Sequence, residues 1–255
     1  MSSNLEERFL IEETCIMNTW GKDVAKNNDF DIFFFRGGYE KSEIDYEHKL
    51  IKVACKDDIF STSEKMKLAH DLIKDFEYDY LLLTNTSTYL NIDLLDMFIN
   101  SNYIKKDAIY CRICFWHYDN YNIGVLPVIG GDFILIGKEN ANNIIPKTCD
   151  FSDFKIGQGG TSYLNDFAFS CVYFGENSFG YCFSNLYEMP HNTFSDCVYN
   201  KKDMWSSYLI KLKSYDNIVP NMVYIDGILK NNNSFKYIPQ PIPIDKPCSS
   251  TFRLE

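Results

Sequence analysis

With 255 residues, 45% of them hydrophobic and 16% aromatic, the chain is long enough to bury a substantial core and too apolar to be disordered over most of its length. Its formal charge of −10, from 35 acidic against 25 basic residues, offers no basic face to nucleic acid or to an anionic membrane. A small phosphate-bearing ligand stays open, because helix N-termini and a few local cations can hold a diphosphate inside an acidic protein.

Residues 5–27 have helical spacing of Leu5, Phe9, Ile16 and Trp20 among charges, and end in the polar Lys26-Asn27-Asn28. Asp29 to Phe35 is a short apolar run closed by Arg36-Gly37-Gly38, which predicts a buried strand and a turn. Leu50 to Cys55 is a second strand. Ser61 and Glu64 have capping-box spacing at the head of a helix whose apolar face is Met66, Leu68, Ala69, Leu72, Ile73 and Phe76. Asp79 to Leu83 is the most hydrophobic strand and runs into the polar Thr84-Asn85-Thr86-Ser87-Thr88, after which Asn91 caps a helix. Residues 108–115 and 132–136 are two further strands around an aromatic loop, Trp116-His117-Tyr118-Asp119-Asn120-Tyr121. Lys138 to Ile145 is a short helix stopped at Pro146. Residues 150–162 are loop-like; 163–174 are expected as helix, 179–184 as strand, 202–213 as helix and 218–225 as strand. Strands alternating with helices predict an α/β sheet, parallel at least in its first half, over residues 1–230, with an Asn- and Pro-rich extended tail over 231–255.

Nine scattered cysteines fit poorly with a closed disulfide framework, which implies a reducing compartment. Cys111-x-x-Cys114 has the spacing of a zinc or redox pair. It lies inside an apolar strand run with no second pair behind it, so buried hydrophobes are the stronger reading. The first seven residues lack the basic and apolar regions of a signal peptide, and no run has the length of a membrane span. The expectation is a soluble cytoplasmic protein without a transmembrane segment.

Four segments in order resemble the fringe and β-1,3-galactosyltransferase family of glycosyltransferases. Met17-Asn18-Thr19-Trp20-Gly21 is similar to its "(R)xTWG" stretch. Tyr78 to Asn91 is similar to "YDYLLKTDDDTYVN", and Ile129 to Lys138 to "GGGYVLS"; Asn165-Asp166-Phe167 stands where the family has "EDV". The resemblance spans about residues 15–185 and implies a GT-A fold, a Rossmann-like mixed sheet flanked by helices with a nucleotide sugar at the C-terminal strand ends. The family's Asp-x-Asp pair, which grips Mn²⁺, is replaced here by Asn85 and Ser87. An amide and a hydroxyl hold a hard cation weakly, so no cofactor is expected beyond weak Mn²⁺ or Mg²⁺.

The resemblance makes Asp166 the general base that takes the acceptor hydroxyl's proton; the alternative is a helix-surface or capping Asp. Asn85, Thr86 and Ser87 would hydrogen-bond ribose or phosphate, or form a turn satisfied by its own side chains. Arg36 would meet the diphosphate or base, or lie on the surface. Lys65 would border the donor, or be a solvated helix residue. Gly130, Gly131 and Asp132 would floor the sugar site, or only turn the chain into a strand. Trp116, His117 and Tyr118 would form an acceptor platform, or pack as an ordinary loop. His191 stands where the family places a late His on metal or phosphate. The expected function is inverting transfer from a nucleoside-diphosphate sugar, UDP first, to a glycan or polysaccharide acceptor without a tightly held metal. A glycosyltransferase-like binding module that has lost catalysis is the alternative.

Overall fold

The structure, a computed structural model, describes residues 7–58, 61–102, 104–117, 125–147, 179–182, 186–188, 209–211, 218–230 and 242–244. The expected N-terminal helix is two helices, α1 (Glu7–Asn18) and α2 (Trp20–Lys26), broken at Thr19. The Thr19 hydroxyl donates to the Cys15 carbonyl at 2.8 Å, a side-chain bond that competes with continuation of the helix. Gly21 lets α2 turn tightly over the end of α1: a Cβ there would sit 2.8 Å from the Ile16 carbonyl oxygen.

Strand β1 (Phe34–Arg36) pairs in parallel with β3 (Leu50–Lys52), and β2 (Glu43–Asp45) pairs antiparallel with β3 on its other side. Helix α3 (Thr62–Ile73) follows. Its expected capping box does not form: Ser61 makes no side-chain cap, and its own N–H donates to Asp58 Oδ1 at 2.8 Å. A local carboxylate thus holds this helix start in place of the Ser–Glu exchange.

Strand β4 (Tyr80–Thr84) leads to β5 (Thr88–Leu90) and α4 (Ile92–Ile99). Asn91 caps α4 as its sequence predicts, Oδ1 accepting from Leu94 N–H at 3.2 Å. Strands β6 (Ala108–His117) and β7 (Val125–Gly137) form a long antiparallel pair with a register shift between Cys111 and Arg112. Both exceed their predicted lengths, and Trp116 and His117 are strand rather than loop. Helix α5 (Lys138–Ile144) follows directly.

The remaining described elements are β8 (Phe179–Cys182), β9 (Leu186–Glu188), β10 (Leu209–Lys211), helix α6 (Ile218–Lys230) and β11 (Ile242–Ile244). Two expectations change here. Residues 209–211 are a strand, paired antiparallel with β5 and parallel with β9, where a helix is predicted. Residues 218–225 are helical where a strand is predicted. Ile218, Met222 and Ile225, at helical spacing, are all buried, and α6 packs against α1.

The largest sheet has the order β11-β8-β6-β7-β4, with β6–β8 parallel and its other pairs antiparallel; β2-β3-β1 and β5-β10-β9 are separate three-stranded sheets. The fold is therefore mixed α/β, with parallel pairing at β1–β3, β6–β8 and β9–β10. Strand residues alternate between two cores. Ala108, Tyr110, Phe133 and Leu135 join residues of α1, α2, α4 and α6, while Ile109, Cys111, Ile134 and Ile136 join Met66 of α3 and the α5 segment. The central strands are covered on both faces, which is why they read as continuous apolar runs. Cys111 is buried within this core and in no disulfide.

Candidate functional site

Helix α1 carries two carboxylates on its buried side, Glu12 and Glu13, only 3% and 6% exposed. Glu13 takes both arms of the Arg36 guanidinium: Nε donates to Oε1 at 3.0 Å and Nη2 donates to Oε2. Glu12 Oε2 accepts from the hydroxyl of buried Thr86. Neighbouring residues of one helix thus hold the C-terminal end of β1 and the segment that follows β4.

A second buried pair continues the network. Lys65 on α3 donates to Asp57 Oδ1 at 3.1 Å, with both side chains 3% exposed. The same oxygen accepts the Gly37 N–H at 3.2 Å, fixing the turn after Arg36. Gly38 completes that turn at φ 83°, a conformation that favours glycine. Arg36, Lys65 and Thr86 are each engaged by a carboxylate. The solvated-helix reading of Lys65 does not hold, since its ammonium is buried. Among the described residues, this network joins the carboxylates of Glu12, Glu13 and Asp57 to Thr86, Arg36 and Lys65.

Asn85 and Ser87, the residues in the metal-ligand places of the resemblance, close on themselves. Asn85 Oδ1 accepts from Ser87 Oγ and Thr88 Oγ1, both at 2.8 Å, which is the self-satisfied turn. The register of β7 on β4, with Thr84 opposite Phe133, brings the backbone of Gly131 and Asp132 to the end of β4 where Asn85 begins. Gly130 lies opposite Arg112, beside the register shift. Trp116 and His117 pair with Leu126 and Val125 on the part of the β6–β7 ribbon that extends past the end of β4. Tyr118, Asp166 and His191 lie outside the described residues. Among the described residues no group of three or more His, Cys, Asp or Glu side chains is arranged to hold a metal ion.

A cavity of about 790 Å³ lies between residues 28–35, leading into β1, and residues 76–86, which contain β4. Both strands stand at the edge of their sheets. Its walls mix apolar side chains with polar ones, among them Asp29, Asp31, Glu77, Asp79, Asn85 and Thr86. Among the described residues, Trp20 Nε1 and the Tyr78 hydroxyl, which line it, are buried without a hydrogen-bond partner, and the buried His70 ring has only the Asn142 side chain beside it, outside ordinary hydrogen-bond geometry. Burial holds the His70 pKa below its usual value, an effect that Asp71 and the Asn142 side chain partly offset. Burial likewise pushes the Tyr78 phenol up. A concave site that joins apolar walls to a few stranded donors has features of a small-molecule site.

Sequence reasoning missed Glu12, Glu13, Asp57 and His70. The first two carried a signal: each is three or four residues from both Phe9 and Ile16, which puts a carboxylate on the apolar stripe of α1. Asp57 sat in a polar strand end like any turn residue. His70 lay on the edge of an otherwise ordinary amphipathic helix. Comparison with known protein families and with curated proteins gives no match to this chain.

Proposed function

We propose that the chain binds a nucleotide sugar in the cleft between β1 and β4 and transfers the sugar, with inversion, to a glycan acceptor. The observation that carries this reading is the cavity between the segment leading into β1 and the segment of β4, which Asn85 and Thr86 help to line at the end of β4. The chain order supports it. The parallel β1–β3 pair is followed by α3 and then by β4 across the cavity from β1, which is the place where ligands of open α/β sheets collect. Among the described residues no helix is long and apolar enough to cross a membrane.

In this reading the acceptor hydroxyl attacks the anomeric carbon from the face opposite the leaving group. Its oxygen forms the new C–O bond, Asp166 takes its proton, and the bond to the diphosphate breaks with the electron pair leaving on oxygen. Trp116, His117 and Tyr118 would present the acceptor. Asn85 and Ser87 supply no carboxylate to a metal, so charge on the leaving group falls to Arg36.

The competing reading, a binding module without turnover, is favoured by one feature: both cations of the network already have internal carboxylate partners. Thermal shift with uridine, UDP and a UDP-sugar panel, with and without Mn²⁺, tests ligand binding, because a ligand that binds only the native state raises the melting temperature. Release of UDP from a sugar donor then separates enzyme from module. A flat response to every nucleotide at millimolar concentration would remove both readings.

A further inference from the structure

We infer that β1 and β4 are the two sides of an unclosed parallel ladder: they are poised to zip into one sheet, and a ligand in the cleft holds them apart. Closure follows from the backbone alone. The exclusion of ligand rests on the reading that a ligand enters this cleft.

The two strands run the same way. Arg36, at the C-terminal end of β1, is held by Glu13, and Thr86, just past the C-terminal end of β4, is held by Glu12. Adjacent residues of α1 therefore fix both C-terminal ends on one side of the cavity. Almost all Cα atoms of β1 lie more than 8 Å from those of β4, whereas neighbouring strands of a sheet are about 4.8 Å apart. What faces the gap is main chain. Side chains of a strand alternate between two faces, yet residues 28–35 and 76–86 line the cavity without a break, as strand edges do.

Hydrogen bonds on the far side of each strand fix which groups point into the gap. The Phe34 N–H donates to the Lys49 carbonyl at 2.8 Å, and the Val53 N–H donates to the Arg36 carbonyl at 3.0 Å. Phe34 and Arg36 thus turn toward β3, and Phe35 between them turns toward β4. Across the cavity the Lys138 N–H donates to the Asp79 carbonyl at 3.1 Å. The antiparallel register then points Leu81 and Leu83 at β7, and Tyr80 and Leu82 at β1. A parallel ladder needs this pattern: the Phe35 N–H donates to the Tyr80 carbonyl, and the Leu82 N–H donates to the Phe35 carbonyl. A register two residues further on pairs Phe35 with Leu82 and Thr84, and gives the Leu82 N–H the Phe33 carbonyl.

Closure joins the two sheets in the order β2-β3-β1-β4-β7-β6-β8-β11. Strands β3, β1 and β4 are then parallel, and α3, which packs on β1, is the crossover between β3 and β4. The strands approach by at least about 3 Å, from beyond 8 Å to the spacing of a sheet, and half-buried main-chain groups gain partners. Because α1 tethers the C-terminal ends, zipping starts there. A ligand in the cleft and the ladder exclude each other, so apparent ligand affinity falls with the fraction of molecules still open.

Amide hydrogen exchange of the wild-type protein, resolved by residue, tests the ladder. Phe35 and Leu82 should exchange within about ten-fold of Leu81 and Leu83, whose N–H groups pair with β7. Exchange of either at the rate of an unbonded amide overturns the inference. Cross-strand nuclear Overhauser effects from Phe35 to Tyr80–Leu83 identify the partner, since they arise at ladder spacing and not across the open cavity. Protected amides without those effects also overturn it. Saturating UDP, once thermal shift shows it to bind, should speed exchange at both amides by about ten-fold or more; unchanged protection overturns the exclusion. Absence of nucleotide binding counts against the nucleotide reading, while exchange in the free protein still decides the ladder.

Discussion

Replacing Lys65 with methionine removes the ammonium from the most deeply buried ion pair among the described residues and leaves the Asp57 carboxylate buried. At 3.1 Å and an effective dielectric near 20, the Coulomb attraction between the two groups is about 5 kcal/mol. Much of that is offset by desolvation of both ions, so the net worth of the pair is far smaller. Losing one partner is another matter, because the desolvation of the survivor remains; such changes cost about 3–5 kcal/mol. Lys65→Met and Asp57→Asn should each destabilise the fold by that order. Asp57→Asn keeps an oxygen for the Gly37 N–H, so its turn should survive. The double variant, with no charge left buried, should cost well under the sum of the singles. Urea unfolding at pH 7, with midpoints and slopes compared across the four proteins, reads the cycle directly. A Lys65→Met cost below about 1 kcal/mol, or single costs that simply add, would refute the reasoning.

His70 should make stability depend on pH. Its folded pKa lies below the usual 6.5, so the unfolded state binds the extra proton first and stability falls as pH drops below about 6.5. His70→Phe should flatten the difference in unfolding free energy between pH 7 and 5.5, and an unchanged slope would contradict the buried, neutral imidazole. Tyr89→Phe should cost about 1.5–3 kcal/mol, because its hydroxyl donates at 3.0 Å to Asp226 of α6 and ties β5 to that helix; chemical denaturation checks it. If Asp166 is the base, Asp166→Asn should lower sugar transfer by roughly two to four orders of magnitude with donor binding intact, and near-normal turnover would move the base elsewhere. Asn85→Asp with Ser87→Asp should create Mn²⁺ dependence. Without metal it should weaken UDP binding, since each carboxylate at about 5 Å from the diphosphate adds roughly 3 kcal/mol of repulsion before screening. Calorimetry with and without EDTA would show either outcome.

Local pattern alone carried the strand from Tyr80 to Thr84, the Asn91 cap, the apolar face of α3 and the alternating α/β order, because periodicity and capping are properties of a few neighbouring residues. The same patterns failed where a tertiary partner chose. Residues 218–225 are rich in β-branched and other apolar side chains, and burial against α1 makes them a helix. Leu209–Lys211 falls in a stretch whose sequence pattern predicts a helix, but it is a strand because β5 and β9 offer it two ladders. The polar rim shows the division most clearly. Sequence placed Arg36, Lys65 and Asn85–Ser87 at strand and helix ends, since each follows or opens an apolar run. It could not supply their partners. Glu13 lies 23 residues from Arg36, and Glu12 lies 74 from Thr86. Whether those charges face water, a ligand or one another depends on which elements pack together, and only the packing of α1 across the ends of β1 and β4 decided that they face one another.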